Sequence, residues 1–364
     1  MLDKNIVTSE SSEEYIKQET NYVSGLPQSM GGSGDPSPVT AYGVYLGMKA
    51  SAKEKWGNDS LAGKKVVVQG IGNVGENLVK HLVKEGAVVS IFDINSERLK
   101  SVSTETGAKV IENGEELYSR HVVMALGHSA RDTFTMLHER GVYMEAKPFS
   151  IGFRIEHPQG MIDRCRFGKF AGHPLLGAAD YKIVHHAKNG RAVYSFCMCP
   201  GGTVVAATSE PNRVVTNGMS QYSRNERNAN SGLVVDIQPS DFGDNSPLAG
   251  IAFQRIWESK AFELGGGTYA APAQLVGDFL AGRPSTQVGS VEPSYKPAVN
   301  WCDLSVALPD YVITAMREAL PEFDKKIKGY AMHDAVLTGV ETRTSSPLRI
   351  TRNQDCQSLN VKGL

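Results

Sequence analysis

No stretch of the 364-residue sequence approaches the roughly 18 consecutive apolar residues that a membrane span requires. The first fifteen residues lack a basic segment followed by an apolar run, so no secretory leader is expected either. Charge of one sign is also wanting. Lys and Arg number 38 against 39 Asp and Glu, a net charge of −1, and without a basic excess neither nucleic acid nor an anionic membrane is an expected partner. Cysteine is scarce: Cys165, Cys197, Cys199, Cys302 and Cys356 are odd in number and scattered, which fits reduced thiols better than a disulfide framework and points to a cytoplasmic protein. Internal repeats and low-complexity segments are missing too. What remains is an ordinary soluble composition, 41% hydrophobic and 21% charged, at a length that suggests about two domains.

Residues 64–93, KKVVVQGIGNVGENLVKHLVKEGAVVSIFD, carry the clearest chemistry. A short β-branched run, 64–69, reads as a buried parallel strand. Gly70, Gly72 and Gly75 follow in G-x-G-x-x-G spacing, and Val74, Leu78 and Leu82 begin a helical stripe at once. The first glycine permits a tight turn, the second lets a pyrophosphate approach the backbone, and the third lets helix and strand pack. The pyrophosphate would then sit on the free N–H groups of that helix, at Asn73, Val74 and Gly75. A second apolar run, 87–92, ends at Asp93, at the spacing expected for an acidic ribose ligand. A carboxylate there accepts from a ribose 2′-OH and repels a 2′-phosphate, and the nearest arginine in the chain is Arg98, so NAD is favoured over NADP. The alternative for Asp93 is a turn cap.

Upstream, 1–24 are polar and acidic, with Ser11 and Ser12 as candidate caps of a short helix. Ser37 and Pro38 start a strong helix with Ala41, Val44, Tyr45, Met48 and Ala52 on one face and Gly57 at its end. Gly43 and Gly47, a turn apart, invite close approach of another backbone. Downstream, 96–106 read as a helix and 109–111 as a sheet edge. Residues 121–127, HVVMALG, read as a strand ending in glycine, followed by a helix that Ser129 can cap with Asp132 in its first turn. His128, Ser129 and Asp132 fall within five residues without a nucleophile elbow, so capping is preferred to hydrolase chemistry.

The segments GGSGDPSPVTAYGVYLGMKA, SLAGKKVVVQGIGNVGENLVKHL and DIN resemble the leucine, valine and phenylalanine branch of the NAD-dependent amino-acid dehydrogenases, over roughly residues 5–118. The resemblance implies a hinge helix leading into an NAD domain, with Thr40 near the nicotinamide carboxamide, Gly70, Gly72 and Gly75 under the pyrophosphate and Asp93 on the adenine ribose. That family deaminates with two lysines and an aspartate. The lysines have no counterpart in this sequence, and Ser12 occupies the aspartate's position, so the base that proton abstraction needs is not identified.

From about 122 to 364 the chain resembles a second family, the uncharacterised bacterial FAD-dependent oxidoreductases. The matching segments include VVMALGHSARDTF, KPFSIGFRIEHPQ, LGAADYKIVHHA, VYSFCMCPGG, TNGMSQYSRN and LTGVETRTSSPLRI. This resemblance implies that Gly127, His128, Ser129 and Arg131 lie near a flavin and that Arg343, Thr344, Ser345 and Ser346 contribute to the same cleft. The family's own N-terminal FAD fingerprint is not found, and the sequence ends before its Y-P-A-G-E-G-A-G segment. In one reading Gly70 to Gly75 take FAD in its place, with Asp93 on the adenosine ribose.

In the second half, 181–187 and 192–199 form a hairpin about Asn189 and Gly190, a type I′ signal. Strands at 203–208 and 214–216 extend it into an antiparallel meander. Cys197 and Cys199 share a strand face with Ser195, yet a metal needs two further ligands and none is spaced to help. His185 and His186 point to opposite sides. Residues 217–230 read as a polar loop in which Arg224 and Arg227 are solvated, 271–280 as a modest helix and 309–320 as a clearer one. The expected fold class is α/β: a Rossmann-type dinucleotide-binding domain joined to an α+β domain with an antiparallel β-meander. Its divisions are an N-terminal remnant (1–24), the Rossmann-type domain (25–140) and a flavoprotein-like domain (141–364). The expected function is a dinucleotide-dependent oxidoreductase using NAD, with FAD as the second candidate cofactor and no substrate, catalytic residue or metal assigned. The alternatives are a hybrid or truncated chain that binds NAD without catalysis, and a leucine-type dehydrogenase, disfavoured by the absent lysines.

Overall fold

The computed structural model describes residue 35 and residues 37–112 and 127–364. The chain divides into two compact units, 1–119 and 120–364. Among the described residues no helix is long and apolar enough to cross a membrane.

The first unit opens with helix α1 (Ser37–Trp56). Its first turn is held by the Asp35 carboxylate, which accepts the Ser37 N–H at 2.8 Å, so aspartate takes the capping role expected of Ser37. Gly57 ends it as expected, at φ +72° with its N–H on the Lys53 carbonyl. Of the expected apolar face, Ala41 and Ala52 are buried and Val44 is 44% exposed. Nothing described lies within 4 Å of a Cβ built on Gly43 or Gly47, so the expected close approach is not found there.

Strands β1 (Lys65–Gln69), β2 (Val88–Phe92) and β3 (Lys109–Val110) form a parallel sheet in that order, linked by helices α2 (Asn73–Glu85) and α3 (Ser96–Thr106). This is the Rossmann-type alternation. Both crossovers step the same way across the sheet, and right-handed connections then place both helices on one face. Val68, Ile71, Val79, Leu82, Val89 and Ile91 are buried between them. On the opposite face Val67 and Val88 are about half exposed, so among the described residues β1 is covered on one side only, not two as expected. Helix α1 lies on α2, where Tyr45 and His81 stack at 5.4 Å. Glu85 joins them, accepting from Lys49 Nζ at 2.7 Å and from the Leu61 N–H at 3.0 Å. The Lys49 and Tyr45 hydrogen bonds lower the Glu85 carboxyl to about 2.

The second unit is built on a seven-stranded sheet. Its strands are β5 (Phe149–Pro158), β6 (Ile183–His186), β7 (Ala192–Cys199), β10 (Asn228–Ile237), β11 (Ala271–Leu275), β12 (Val299–Trp301) and β13 (Val336–Glu341), ordered β12-β11-β13-β5-β10-β7-β6. Only the β11–β12 pair is parallel. Strands β8 (Gly202–Ala206) and β9 (Thr216–Ser220) pair as a separate two-stranded sheet, so the meander runs β6-β7 and resumes at β10. Strand β10 pairs along its length with the central strand β5 and begins inside the segment expected to be a loop. Likewise 271–275 is a fully buried strand, and only Val276–Ala281 is helical.

One sheet face is apolar. Phe153, Ile155 and Leu233 pack there with Met316, Ala319 and Phe323 of the long helix Asp310–Lys326. The other face is polar yet buried, carrying Arg154, Glu156 and Asn230. The β8–β9 hairpin lies over it so closely that a Cβ on Gly218 would come within 2.0 Å of the Arg154 guanidinium. The hairpin at 183–199 turns through Lys188 and Asn189 into Gly190 at φ +82°. Asn189 has no positive φ, so this is a type I turn completed by a left-handed glycine rather than type I′.

Candidate functional site

The loop from β1 into α2 has the form that its glycines imply. Gly70 stands at φ +86°, open to glycine and strained for other residues, and donates its N–H to the Phe92 carbonyl at 2.8 Å. A Cβ on Gly75 would lie 2.0 Å from the Gly70 oxygen, so the helix is seated directly on the turn. Gly72 differs: among the described residues a Cβ there meets nothing within 4 Å. It is the N-cap of α2 and, lacking a side chain, supplies no cap hydrogen bond. Among the described residues nothing stands against Gly72, and the positive end of the helix dipole lies behind it.

Asp93 accepts the Ile71 N–H at Oδ2 and the Asn95 N–H at Oδ1, each at 2.8 Å. It does what a turn cap does and also braces the glycine loop. Each carboxylate oxygen has further lone-pair capacity, so these bonds leave room for hydroxyl donors. Ile94, directly after it, is 97% exposed, an apolar shelf that sequence reading missed. Arg98 reaches the mouth of the loop, donating to Asn73 Oδ1 at 2.7 Å and to Glu76 Oε2 at 3.2 Å. Thr40 is exposed in the first turn of α1.

The strand expected at 121–127 lies outside the described residues up to Gly127, which has φ +71°. The helix after it is Arg131–Glu139, and the expected Ser129 cap is not made: the N-cap is Ala130 and no side chain caps it. Ser129 Oγ instead lies 2.7 Å from His128 Nδ1 and 3.4 Å from Arg343 Nη1. Asp132 is exposed, and among the described residues no carboxylate hydrogen-bonds His128, so the pair is not a hydrolase triad. Burial, then the nearby Arg343 and Arg131 cations, push the His128 imidazolium down, so the ring favours its neutral form.

Beneath this pair is a buried ion network. Glu258, fully buried on helix Ala249–Leu264, accepts from Arg131 at 2.7 and 3.0 Å, from Arg343 at 3.0 and 3.1 Å, and from Thr342 Oγ1 at 2.8 Å. Gln254, one turn earlier, accepts from Arg131 at 2.9 Å and donates to the Thr342 carbonyl at 2.7 Å. Glu210 pairs with Arg131 and with Arg255 at 2.6 Å, and Ser209 Oγ accepts from Arg343. The structure therefore brings His128, Ser129, Arg131 and Arg343 together. Thr344 and Ser346 turn their hydroxyls to local backbone partners, the Ser150 carbonyl and the Leu348 N–H. Sequence reading missed Glu258, Gln254 and Glu210. The available signal was a polar pair at i, i+4 on an otherwise apolar helix stripe.

Burial raises the Glu210 carboxyl, and hydrogen bonds from Arg255 and Arg131 more than reverse this, holding it at about 2. A depressed carboxyl contributes stability above its unfolded value and loses it as pH falls through the folded one. The wild type should therefore unfold at higher urea than Glu210→Gln at neutral pH, and that advantage should shrink as pH drops from about 4.5 to about 2. An advantage unchanged across that window would show that Glu210 does not carry it.

The five cysteines are free, and among the described residues no cluster of three metal-ligating side chains occurs. His185 and His186 point to opposite sides, and His185 meets Glu318 at 3.2 Å. Arg227 is an exposed partner of Glu292 at 2.8 Å.

Fold and geometry together define two units, a Rossmann-type α/β unit followed by an α+β unit. The chain belongs to the FAD-dependent protein, C-terminal domain-like family, which matches residues 148–344. The Glutamate/Leucine/Phenylalanine/Valine dehydrogenase family matches residues 31–119. An uncharacterized protein of Clostridium beijerinckii is 48% identical over 303 residues, covering 80% of this chain and 56% of that protein. Leucine dehydrogenase of Bacillus cereus is 52% identical over 102 residues, 28% of each chain. The crystal structure of L-tryptophan dehydrogenase from Nostoc punctiforme is similar at 40% identity over 22% of this chain and 24% of that one, with a TM-score of 0.22. The chain thus spans about half the length of the first relative and under a third of the dehydrogenase.

Proposed function

We propose that the chain is a dinucleotide-dependent oxidoreductase whose first unit binds NAD at the β1–α2 loop. The observation that carries this reading is the contrast between Gly75, which has no room for a side chain, and Gly72, which opens onto free space. The open space is where a pyrophosphate would rest on the N–H groups of Asn73, Val74 and Gly75. Asp93 would accept from the adenine ribose with the lone pairs its backbone bonds leave free, Ile94 would cover the adenine, and Thr40 would meet the carboxamide. In the second unit Gly127, His128, Ser129 and Arg131, backed by Arg343, would line a flavin. When bound, NAD supplies a hydride acceptor and FAD a two-electron acceptor. The residues here position and polarise.

One observation favours FAD as a cofactor of the chain. The similarity to the Clostridium protein covers 80% of this chain, more than residues 120–364 can supply, so it extends into the first unit. A match of that extent supports a cofactor of the second unit's family, FAD, for the chain.

Titration with NADH, followed by its fluorescence, and with FAD, followed by visible absorption, tests both readings. NADH binding displaced by NAD supports the first, and retained flavin absorption supports the second. A protein that takes up neither sinks the proposal.

A further inference from the structure

Cys197 and Cys199 sit where β7 leaves regular pairing. Cys199 faces Asn230 and Phe196 faces Gly232, so Cys197 and Met198 together oppose Ser231. Cys197 takes φ +51°, and this bulge breaks the alternation: Ser195 is buried while Cys197 is exposed, so Ser195 does not share a face with Cys197 as the strand pattern implies. Residues two apart on a regular strand are separated by about 6.7 Å, at the upper end of the ~4.4–6.8 Å that a disulfide spans. A bulge bends the strand at this point. The Cys199 thiol is already turned back along the strand, 3.6 Å from the Cys197 carbonyl oxygen, and it lies 3.5 Å from Arg154 Nη2. Arg154 is fully buried and held by Glu341 at 3.1 Å and Asn230 at 2.6 Å. Asn230, also fully buried, leaves its Nδ2 without a partner beside this group.

We propose that Cys197 and Cys199 form a dithiol–disulfide pair that exchanges two electrons with low-molecular-weight disulfides. The exposed Cys197 thiolate attacks one sulfur of the external disulfide, forming a mixed disulfide and releasing one thiolate. Cys199 then attacks the Cys197 sulfur, closing the intramolecular bond and releasing the second thiolate. The protein pair loses two electrons and two protons, and the external disulfide becomes two thiols. Burial pushes both thiols up, and the Arg154 guanidinium 3.5 Å from the Cys199 sulfur offsets part of that. The buried Asn230 N–H is a further donor within the same polar cluster.

The test uses the full chain with Cys165, Cys302 and Cys356 replaced by serine, equilibrated with glutathione over a range of oxidised to reduced ratios and read by mass. The expected product lacks the mass of two hydrogens and retains no glutathione. The equilibrium constant for closure should exceed that of the urea-unfolded chain by about tenfold or more. Adding Cys199→Ser should trap glutathione on Cys197, and adding Cys197→Ser should slow reaction at Cys199 by about tenfold. A dithiol that persists in excess oxidised glutathione, a stable mixed disulfide with both cysteines present, or equal closure in folded and unfolded chains overturns the proposal.

Discussion

Gly75→Ala is expected to abolish NADH binding and to lower the melting of the first unit, followed at Trp56, the sole tryptophan of residues 1–119. The added methyl would sit 2.0 Å from the Gly70 oxygen and 2.9 Å from its carbon, and both are backbone, so neither can rotate away. Overpacking of this kind costs about 1–3 kcal/mol, and relief requires lifting α2 off the turn. Gly72→Ala is the informative partner. Its methyl meets nothing within 4 Å, at an ordinary φ of −60°, so the fold should be untouched. Affinity should nevertheless fall by about tenfold or more, because the methyl occupies the approach to the helix N-terminus. A Gly72→Ala protein that melts and binds like wild type would falsify the assignment of this loop to a dinucleotide.

The second large effect is expected from Glu258→Gln. The carboxylate accepts from both Arg131 and Arg343, and all three side chains are buried. Removing the charge leaves two buried guanidiniums with the shared Glu210 as their remaining acidic partner among the described residues, and breaking a buried pair on one side costs about 3–5 kcal/mol. Burial raises the Glu258 carboxyl, but the arginine hydrogen bonds outweigh it and hold the group below the usual range. Urea denaturation measures the difference directly. A loss below about 1 kcal/mol, the scale of exposed pairs, would mean that the network is screened and not part of the second unit's frame.

The form of the glycine loop was legible because its determinants are local: strand, turn and helix fall within one contiguous stretch, and Gly75 contacts Gly70 within it. The α/β class followed from the same patterns, and the hybrid description from two family resemblances. Strand β10 was not legible. Asn228 and Asn230 look like loop residues, but in the sheet Asn228 donates to Glu156 at 3.0 Å and Asn230 accepts from Arg154, so buried polar groups satisfy one another across strands. The strand at 271–275 was misread for a related reason: a short apolar run fits a buried strand and a helix equally until its neighbours are known. Glu258 escaped notice because its partners, Arg131 and Arg343, lie far from it in the chain. Ser129 shows the limit of capping rules, since a nearby imidazole and guanidinium hold the hydroxyl that the helix start could have used.

The order of the large sheet has a consequence for how the second unit is made. Strand β5 lies between β10 and β13, with Glu156 opposite both Asn230 and Val336. Its second edge therefore stays unpaired until residues near 336–341 have left the ribosome, and β11, whose partner is also β13, waits with it. Pairings of such long sequence separation form slowly because loop closure precedes the contacts that reward it. During synthesis β5 exposes a long apolar edge of the sort that recruits other chains. Folding yield in the cell should therefore depend on what shields that edge while the last strand is being translated.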